Sequence, residues 1–415
     1  MSALVSHPTG NANLRAVLRA LEGVGALSEF WTTLALPPSL SRAGALPPHV
    51  RRRLGQRTFN EVPWARTRLR PWREVSRLAA RGAGIGSLTR HETGWASVDA
   101  VYHGLDQAVA RRLRSKASSP SMVYAYEDGA LETFLAAQET GVPRVYDLPI
   151  AHWRSLRQLL QEEAERLPEW ACTMEGLRDS EEKLARKDRE IELADRIFVA
   201  SSFTRDSLTA AFSDVSVHVT PYGCPPPAAT EPARRAEGAP LHLMFAGHLA
   251  QRKGIADLIA ALKLLEIDWR ITLAGPKPAM APSALDRFLK DERVTWLGTV
   301  PHATLLDHMA RAHVFVFPSI VEGFGMVITE ALSAGLPVIT TPHTAGPDIL
   351  TEGQDGFIVP IRAPEAIADR ITALAEDEDK RLAMAHAARA TARRMSWSRY
   401  EAQIADLVTR EAQPQ

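Results

Sequence analysis

Short apolar runs alternate with helical patterns twice along this chain, and a stretch rich in proline and small residues at 225–240 separates the two series. Strands joined through helices pair in parallel, because only a long crossover returns the chain to the same end of a sheet. In the first series, residues 3–5, 122–126, 143–148 and 197–200 read as strands; in the second, 241–245, 270–274, 294–297, 314–317, 337–340 and 357–359 do. Helical spacing falls at 14–21 and 131–137, and a charged helical stretch at 155–194 is broken near Pro168, with Ser202 the expected cap of a further helix. This pattern predicts an α/β chain with two Rossmann-like domains, each a parallel sheet covered on both faces, around a central cleft.

The length agrees, since 415 residues exceed what one core usually organises. The expected division is 1–230, 231–395 and a last helical segment at 396–415. Lysine plus arginine is 49 and aspartate plus glutamate is 49, so the whole-molecule charge gives no general attraction for nucleic acid, and no nucleic-acid motif is present. The balance is uneven along the chain. Between Arg51 and Arg90 stand eleven arginines and two glutamates, a local surplus of nine positive charges, with Trp64 and Trp72 interleaved. Two readings fit that segment: an insertion whose arginines are solvated or paired with acidic helices, or a docking surface for anionic lipid headgroups or a pyrophosphate-linked acceptor. Two cysteines, Cys172 and Cys224, exclude a disulfide framework and an all-cysteine zinc site. The first residues carry no basic or apolar leader, and no apolar run reaches the roughly 18 to 20 residues that span a bilayer. The expected location is cytoplasmic, with any membrane contact peripheral and at the inner face.

Two segments carry the chemistry. In Pro318-Ser319-Ile320-Val321-Glu322-Gly323-Phe324-Gly325-Met326, a strand runs into a glycine loop and then a helix, whose N-terminal amides and positive dipole end suit a phosphate. Glu322 precedes that helix and Glu330 lies about two turns into it, so both can line one cleft wall. A carboxylate accepts two hydrogen bonds at once and so binds vicinal hydroxyls, which suits a sugar at one end and a ribose at the other. The plainer alternative is a capping glutamate and a solvated one. In Gly247-His248-Leu249-Ala250-Gln251-Arg252-Lys253-Gly254, the basic pair stands where a strand's carboxyl end meets a helix, and together the two cations can neutralise a diphosphate.

With Glu322 and Glu330 eight positions apart, and with the strings Glu-Gly-Phe-Gly and Glu-Ala-Leu-Ser-Ala-Gly-Leu-Pro-Val-Ile around them, the chain resembles retaining glycosyltransferases of family 4, which have the GT-B fold. The resemblance runs from about Leu193 onward and is weak before it. It implies a metal-independent hexosyl transfer from a nucleotide diphosphate sugar to a glycan or lipid-linked acceptor, in polysaccharide or cell-envelope assembly. It implies an acceptor-binding first domain, a donor-binding second domain, and a last helix that crosses back onto the first. On the donor side, Arg252 and Lys253 would hold the diphosphate. Gly247, Gly298 and Gly323 and the amides of Phe324, Gly325 and Met326 would approach sugar or phosphate, Glu330 would hold the ribose, and Glu322 would face the donor sugar at the reacting centre. The loop at Gly10 and Asn11 stands where the family's N-terminal glycine loop stands, with one glycine in place of a pair. His248 occupies the place where the family often has its first basic residue.

Acceptor-side expectations rest on fewer residues. Asp147 fits the family's aspartate after the strand ending near Tyr146, and His152 is the nearest histidine, so both enter as catalytic candidates; beside Trp153 and Arg154, His152 equally reads as an ordinary helix-start residue. Glu127 and Asp128 would bind acceptor hydroxyls or cap the next helix. The acidic run Asp377-Glu378-Asp379 has no strand before it and reads as a helical tail, the Gly82–Gly86 glycines follow no strand, and the histidines show no metal-ligand spacing. Trp397 and Tyr400 read as core packing. Two alternatives stay in view: a GT-B nucleotide-sugar epimerase, which would use the same cleft without a glycan acceptor, and a catalytically silent GT-B subunit, which the departures at His248 and around His152 keep open.

Overall fold

The computed structural model describes residues 2–37, 57–115 and 119–410. The arginine segment is thus seen from Arg57 onward, and Arg51, Arg52 and Arg53 lie outside the described residues. The first sheet consists of β1 (Ala3–Ser6), β2 (Leu27–Thr32), β3 (Thr67–Leu69), β4 (Met122–Tyr126), β5 (Arg144–Leu148), β6 (Arg196–Val199) and β7 (Val217–Val219). The second consists of β8 (Leu241–Ala246), β9 (Trp269–Ala274), β10 (Val294–Trp296), β11 (Val314–Phe317), β12 (Val338–Thr340) and β13 (Gly356–Ile358). All their pairings are parallel.

The strand orders are β3-β2-β1-β4-β5-β6-β7 and β10-β9-β8-β11-β12-β13. In each, the chain starts mid-sheet, winds outward one way, and then returns to wind the other. Crossovers on opposite faces diverge where the order reverses, leaving a crevice at the carboxyl ends of the two strands there. Those strands are β1 and β4 in one domain and β8 and β11 in the other. The loops that follow them hold Gly10 and Asn11, Glu127 and Asp128, Arg252 and Lys253, and Glu322.

Buried strands such as β4, β5, β8 and β11 are near-continuous apolar runs because helices cover both their faces. The charged stretch breaks as expected: helix Trp153–Arg166 ends before a 3-10 segment at Pro168–Thr173, and helix Glu181–Leu193 follows. One cap differs. Ser201, in extended backbone, accepts from the Thr204 amide at 3.2 Å, so it and not Ser202 caps helix Ser202–Thr209.

Helix Trp397–Arg410 lies on helix Ala12–Gly23 of the first domain, where Arg19 pairs with Glu401 at 2.7 Å. Tyr222 stacks on Trp397 and meets Tyr400 edge-on, so these aromatics are packing, as read. Asp377 caps helix Glu378–Arg394 through the Lys380 amide, in keeping with a helical tail. The domains are also bridged by a buried polar knot. Glu163 of helix Trp153–Arg166 binds Arg166, Gln251 and Arg362, and Arg166 reaches Asp257 at 2.9 Å.

Candidate active site

The donor-side wall is assembled by backbone contacts only glycine permits. Gly254 adopts φ +71 at the end of the turn Gln251–Lys253, and a Cβ there would overlap the carbonyl of Pro318. The loop after β8 therefore lies directly on the loop after β11. The Arg252 carbonyl accepts from the Ile320 amide at 2.9 Å and the Ser319 hydroxyl at 3.0 Å.

This contact aims both cations at Glu322. Its Oε1 takes Arg252 Nη1 at 3.1 Å and the Lys253 ammonium, and Ser319 Oγ lies 3.1 Å away. Lys253 also sits above the Phe317 ring. Burial pushes the Glu322 carboxyl up, but Lys253 and Arg252 outweigh it and hold the group below the usual carboxylate range. Glu322 is only 8% exposed. Three residues on, Gly325 at φ +83 caps helix Met326–Ala334, whose first-turn amides have no acceptor within the helix.

Glu330 faces a second partner that sequence reading passed over. His302 Nε2, at the start of helix His302–Met309, lies 2.9 Å from Glu330 Oε1. Both border a cavity of about 270 Å³ that also touches Ala12, Gly223 and Trp397, and so opens between the domains. Gly298, at φ +65 after β10, turns the chain toward His302. Gly247, at the end of β8, donates its amide to Ala274. Gly323 meets the first domain so closely that a Cβ would overlap the Pro149 carbonyl, and its own carbonyl accepts from Thr204 Oγ1 at 3.1 Å. Phe324 packs on Tyr222, with ring centroids 4.9 Å apart.

The first domain's candidates divide. Gly10 lies under the Phe59 ring, and Asn11 is exposed at the rim, its Oδ1 capping helix Ala12–Gly23 through the Leu14 amide. Glu127 pairs with Lys187 at 3.1 Å and borders a cavity of about 170 Å³ beside Ile150, next to the Gly323 contact. Asp128 sits at φ +68 beside Lys183 and Lys187. Neither caps the next helix, since the amides at its start go to Glu190 and Asp106.

Asp147 and His152, the catalytic candidates of this domain, lie in the interior. Asp147 is 2% exposed and accepts from Tyr124 at 2.7 Å, and burial pushes its carboxyl up to about 7. His152 is 1% exposed, stands 3.0 Å from Asp188 and packs edge-on against Phe212. Tyr124 of β4 holds Asp147, and Asp188 and Phe212 hold His152. Away from the cleft, ligand atoms of His91, Glu92 and Asp179 lie within 4.8 Å of one another, and Lys183 already places a cation 3.1 Å from Asp179.

Residues 229–391 match the family model described as glycosyl transferases group 1. This part of the chain belongs to that family. The chain is 32% identical over 193 residues to the D-inositol 3-phosphate glycosyltransferase of Corynebacterium glutamicum (strain R), covering 43% of this chain and 46% of that one. It is 25% identical over 193 residues to a putative colanic acid biosynthesis glycosyltransferase, WcaL, of Salmonella typhimurium, covering 41% and 48%. These matches span less than half of each relative. Fold similarity extends further. Sucrose-phosphate synthase from Thermosynechococcus elongatus superposes at a TM-score of 0.65 with 16% identity over 99% of both chains. Anabaena HepE in complex with UDP does so at 0.63 with 15% identity, over 99% of this chain and 100% of that one. The group 1 region thus sits as the second domain of a GT-B fold.

Proposed function

We propose that this chain is a retaining glycosyltransferase of family 4 that moves a sugar from a nucleotide diphosphate sugar to a glycan or lipid-linked acceptor, in polysaccharide or cell-envelope assembly. The observation that carries the reading is one carboxylate, Glu322, facing two cations, Arg252 and Lys253, at the head of a helix whose second turn presents Glu330 to an interdomain cavity. The names of the relatives, and the HepE complexes with UDP and UDP-glucose, support the class of donor.

In this reading the donor diphosphate lies against Arg252, Lys253 and the amides at Gly325 and Met326, and the ribose hydroxyls replace His302 on Glu330. The bond from the anomeric carbon to the diphosphate oxygen breaks, and its electron pair leaves with the diphosphate. The cations and the helix N-terminus stabilise that charge, so the reaction requires no metal ion. Glu322 supports the oxocarbenium-like sugar electrostatically. The acceptor hydroxyl attacks from the same face, forming the new glycosidic bond, and its proton passes to the departing phosphate oxygen. The acceptor lies on the Glu127 side, and the enzyme works at the cytoplasmic face of a membrane.

A thermal-shift series with UDP-, GDP- and ADP-sugars tests the reading, because a ligand of the folded state raises its melting temperature. One class of donor should shift the native chain and fail with Lys253→Ala. If none shifts the native chain, the donor site is wrongly assigned. Transfer that disappears with a chelator and returns with a divalent ion would overturn the metal-independent part.

A further inference from the structure

Of the twelve large apolar side chains exposed among the described residues, eight fall between positions 64 and 98, so the exposed apolar surface is gathered in one region. Its centre is helix Trp72–Gly82, which is turned inside out. Trp72, Val75, Leu78, Ala79 and Gly82 occupy about a third of the helix circumference, and all five are exposed, with Trp72 at 77%. Three of its four charged residues, Arg73, Glu74 and Arg77, turn inward. Glu74 is 1% exposed between Arg57 and Arg77, and Arg73 donates to the Ala100 carbonyl at 2.9 Å. An amphipathic helix on a water-soluble surface normally turns the other way.

The apolar face continues through the exposed Gly82–Leu88 stretch to Ile85 and Leu88. Around it stand Arg68, Arg70, Arg81 and Arg90, exposed and without an acidic partner among the described residues. The arginines of the segment therefore divide: Arg57, Arg66 and Arg77 are paired within the fold, and these four are left to the outside.

We infer that helix Trp72–Gly82 and the turn after it are an insertion face for an anionic lipid bilayer: Trp72, Val75, Leu78 and Ile85 enter the headgroup boundary, while the four arginines bind lipid phosphates. The geometry favours a bilayer over a protein. Tryptophan, aliphatic side chains and glycine on one exposed helix face, with four exposed arginines in the same segment, match an interface that is apolar inside and negative at its rim. The inference goes beyond sugar transfer and uses that reading only for the benefit of reaching a lipid-linked acceptor. Its test contains no donor, so its failure would leave the transfer reading intact.

The experiment is flotation of the full chain with phosphatidylcholine vesicles, with and without phosphatidylglycerol, alongside tryptophan emission. The native chain should float only with the anionic vesicles, with a blue shift, and be released by salt. Arg81→Gln with Arg90→Gln should weaken binding about twenty-fold, near fivefold for each charge. Leu78→Glu should abolish the blue shift without changing the melting temperature, since the side chain is exposed. Two outcomes overturn the inference: flotation indifferent to these substitutions, or a native chain that ignores anionic vesicles and forms a dimer that Leu78→Glu dissociates.

Discussion

His302 and Glu330 stand 28 residues apart in sequence and 2.9 Å apart in space, Nε2 to Oε1, and the imidazole occupies a carboxylate oxygen that the proposed ribose requires. The hydrogen bond that the imidazole donates to Glu330 raises it above its usual 6.5. The charged pair is thus formed below the raised value and released above it. Its contribution to folding is fully present below 6.5 and is lost as pH rises through the folded value. Ligand binding runs the other way: UDP affinity should increase with pH across that titration, and His302→Ala should flatten the profile. Calorimetry across the range checks this, and a variant that keeps the native profile would sink it.

Glu322 is the shared partner of two cations, so removing it should separate binding from chemistry. In Glu322→Ala, transfer should fall by about two to three orders of magnitude, as when an electrostatic group at a reacting centre is lost. UDP affinity should hold or rise, because Arg252 and Lys253 are then free for the diphosphate. Leaving Lys253 buried without its carboxylate costs on the order of 3–5 kcal/mol of stability, which UDP should partly restore. Equal losses in UDP binding and turnover would assign Glu322 a purely structural role.

Gly323 abuts the Pro149 carbonyl across the domain contact. Gly323→Ala should cost about 1–3 kcal/mol, the usual range for overpacking, and lower turnover by parting the domains. Gly23→Ala is the control, with open space around the Cβ and ordinary helical backbone. There the change should be neutral or stabilising by up to about 1 kcal/mol. Urea melts of the two variants decide it.

Asp147 supplies a pH signature of the fold. Burial raises its folded value to about 7 from 3.8. Between those values the unfolded chain has lost a proton that the folded chain keeps, so stability falls as pH rises through the window and levels off above it. The cost reaches on the order of 4 kcal/mol. Asp147→Asn, which can still accept from Tyr124, should remove most of the slope and leave transfer little changed. A large loss of transfer with intact stability would return Asp147 to the chemistry.

Much of this was legible from local pattern. The six strands of the second sheet and four of the seven in the first follow from apolar runs between helical spacing, whereas β2, β3 and β7 were missed, and Glu322 and Glu330 share a wall because eight positions are about two helical turns. The basic pair was readable because it ends a strand. His302 was not: its meeting with Glu330 depends on how β10 and β11 lie in the sheet. The burial of Asp147 and His152 was not legible for a related reason, since Tyr124 and Asp188, on other elements, pack against them. Helix Trp72–Gly82 shows a deeper limit. The arginine count did not reveal a helix there, and which of its sides meets water is set by Arg57 and Arg77 gripping Glu74.

Arg19 and Glu401 pair across 382 positions where helix Trp397–Arg410 covers helix Ala12–Gly23. During synthesis, helix Ala12–Gly23 leaves the ribosome well before helix Trp397–Arg410 and waits for it. The first domain therefore cannot complete its folding as it emerges, and a nascent chain halted anywhere before position 397 carries an open apolar seam for a chaperone to hold. Errors late in translation would thus be felt in the domain that was made first.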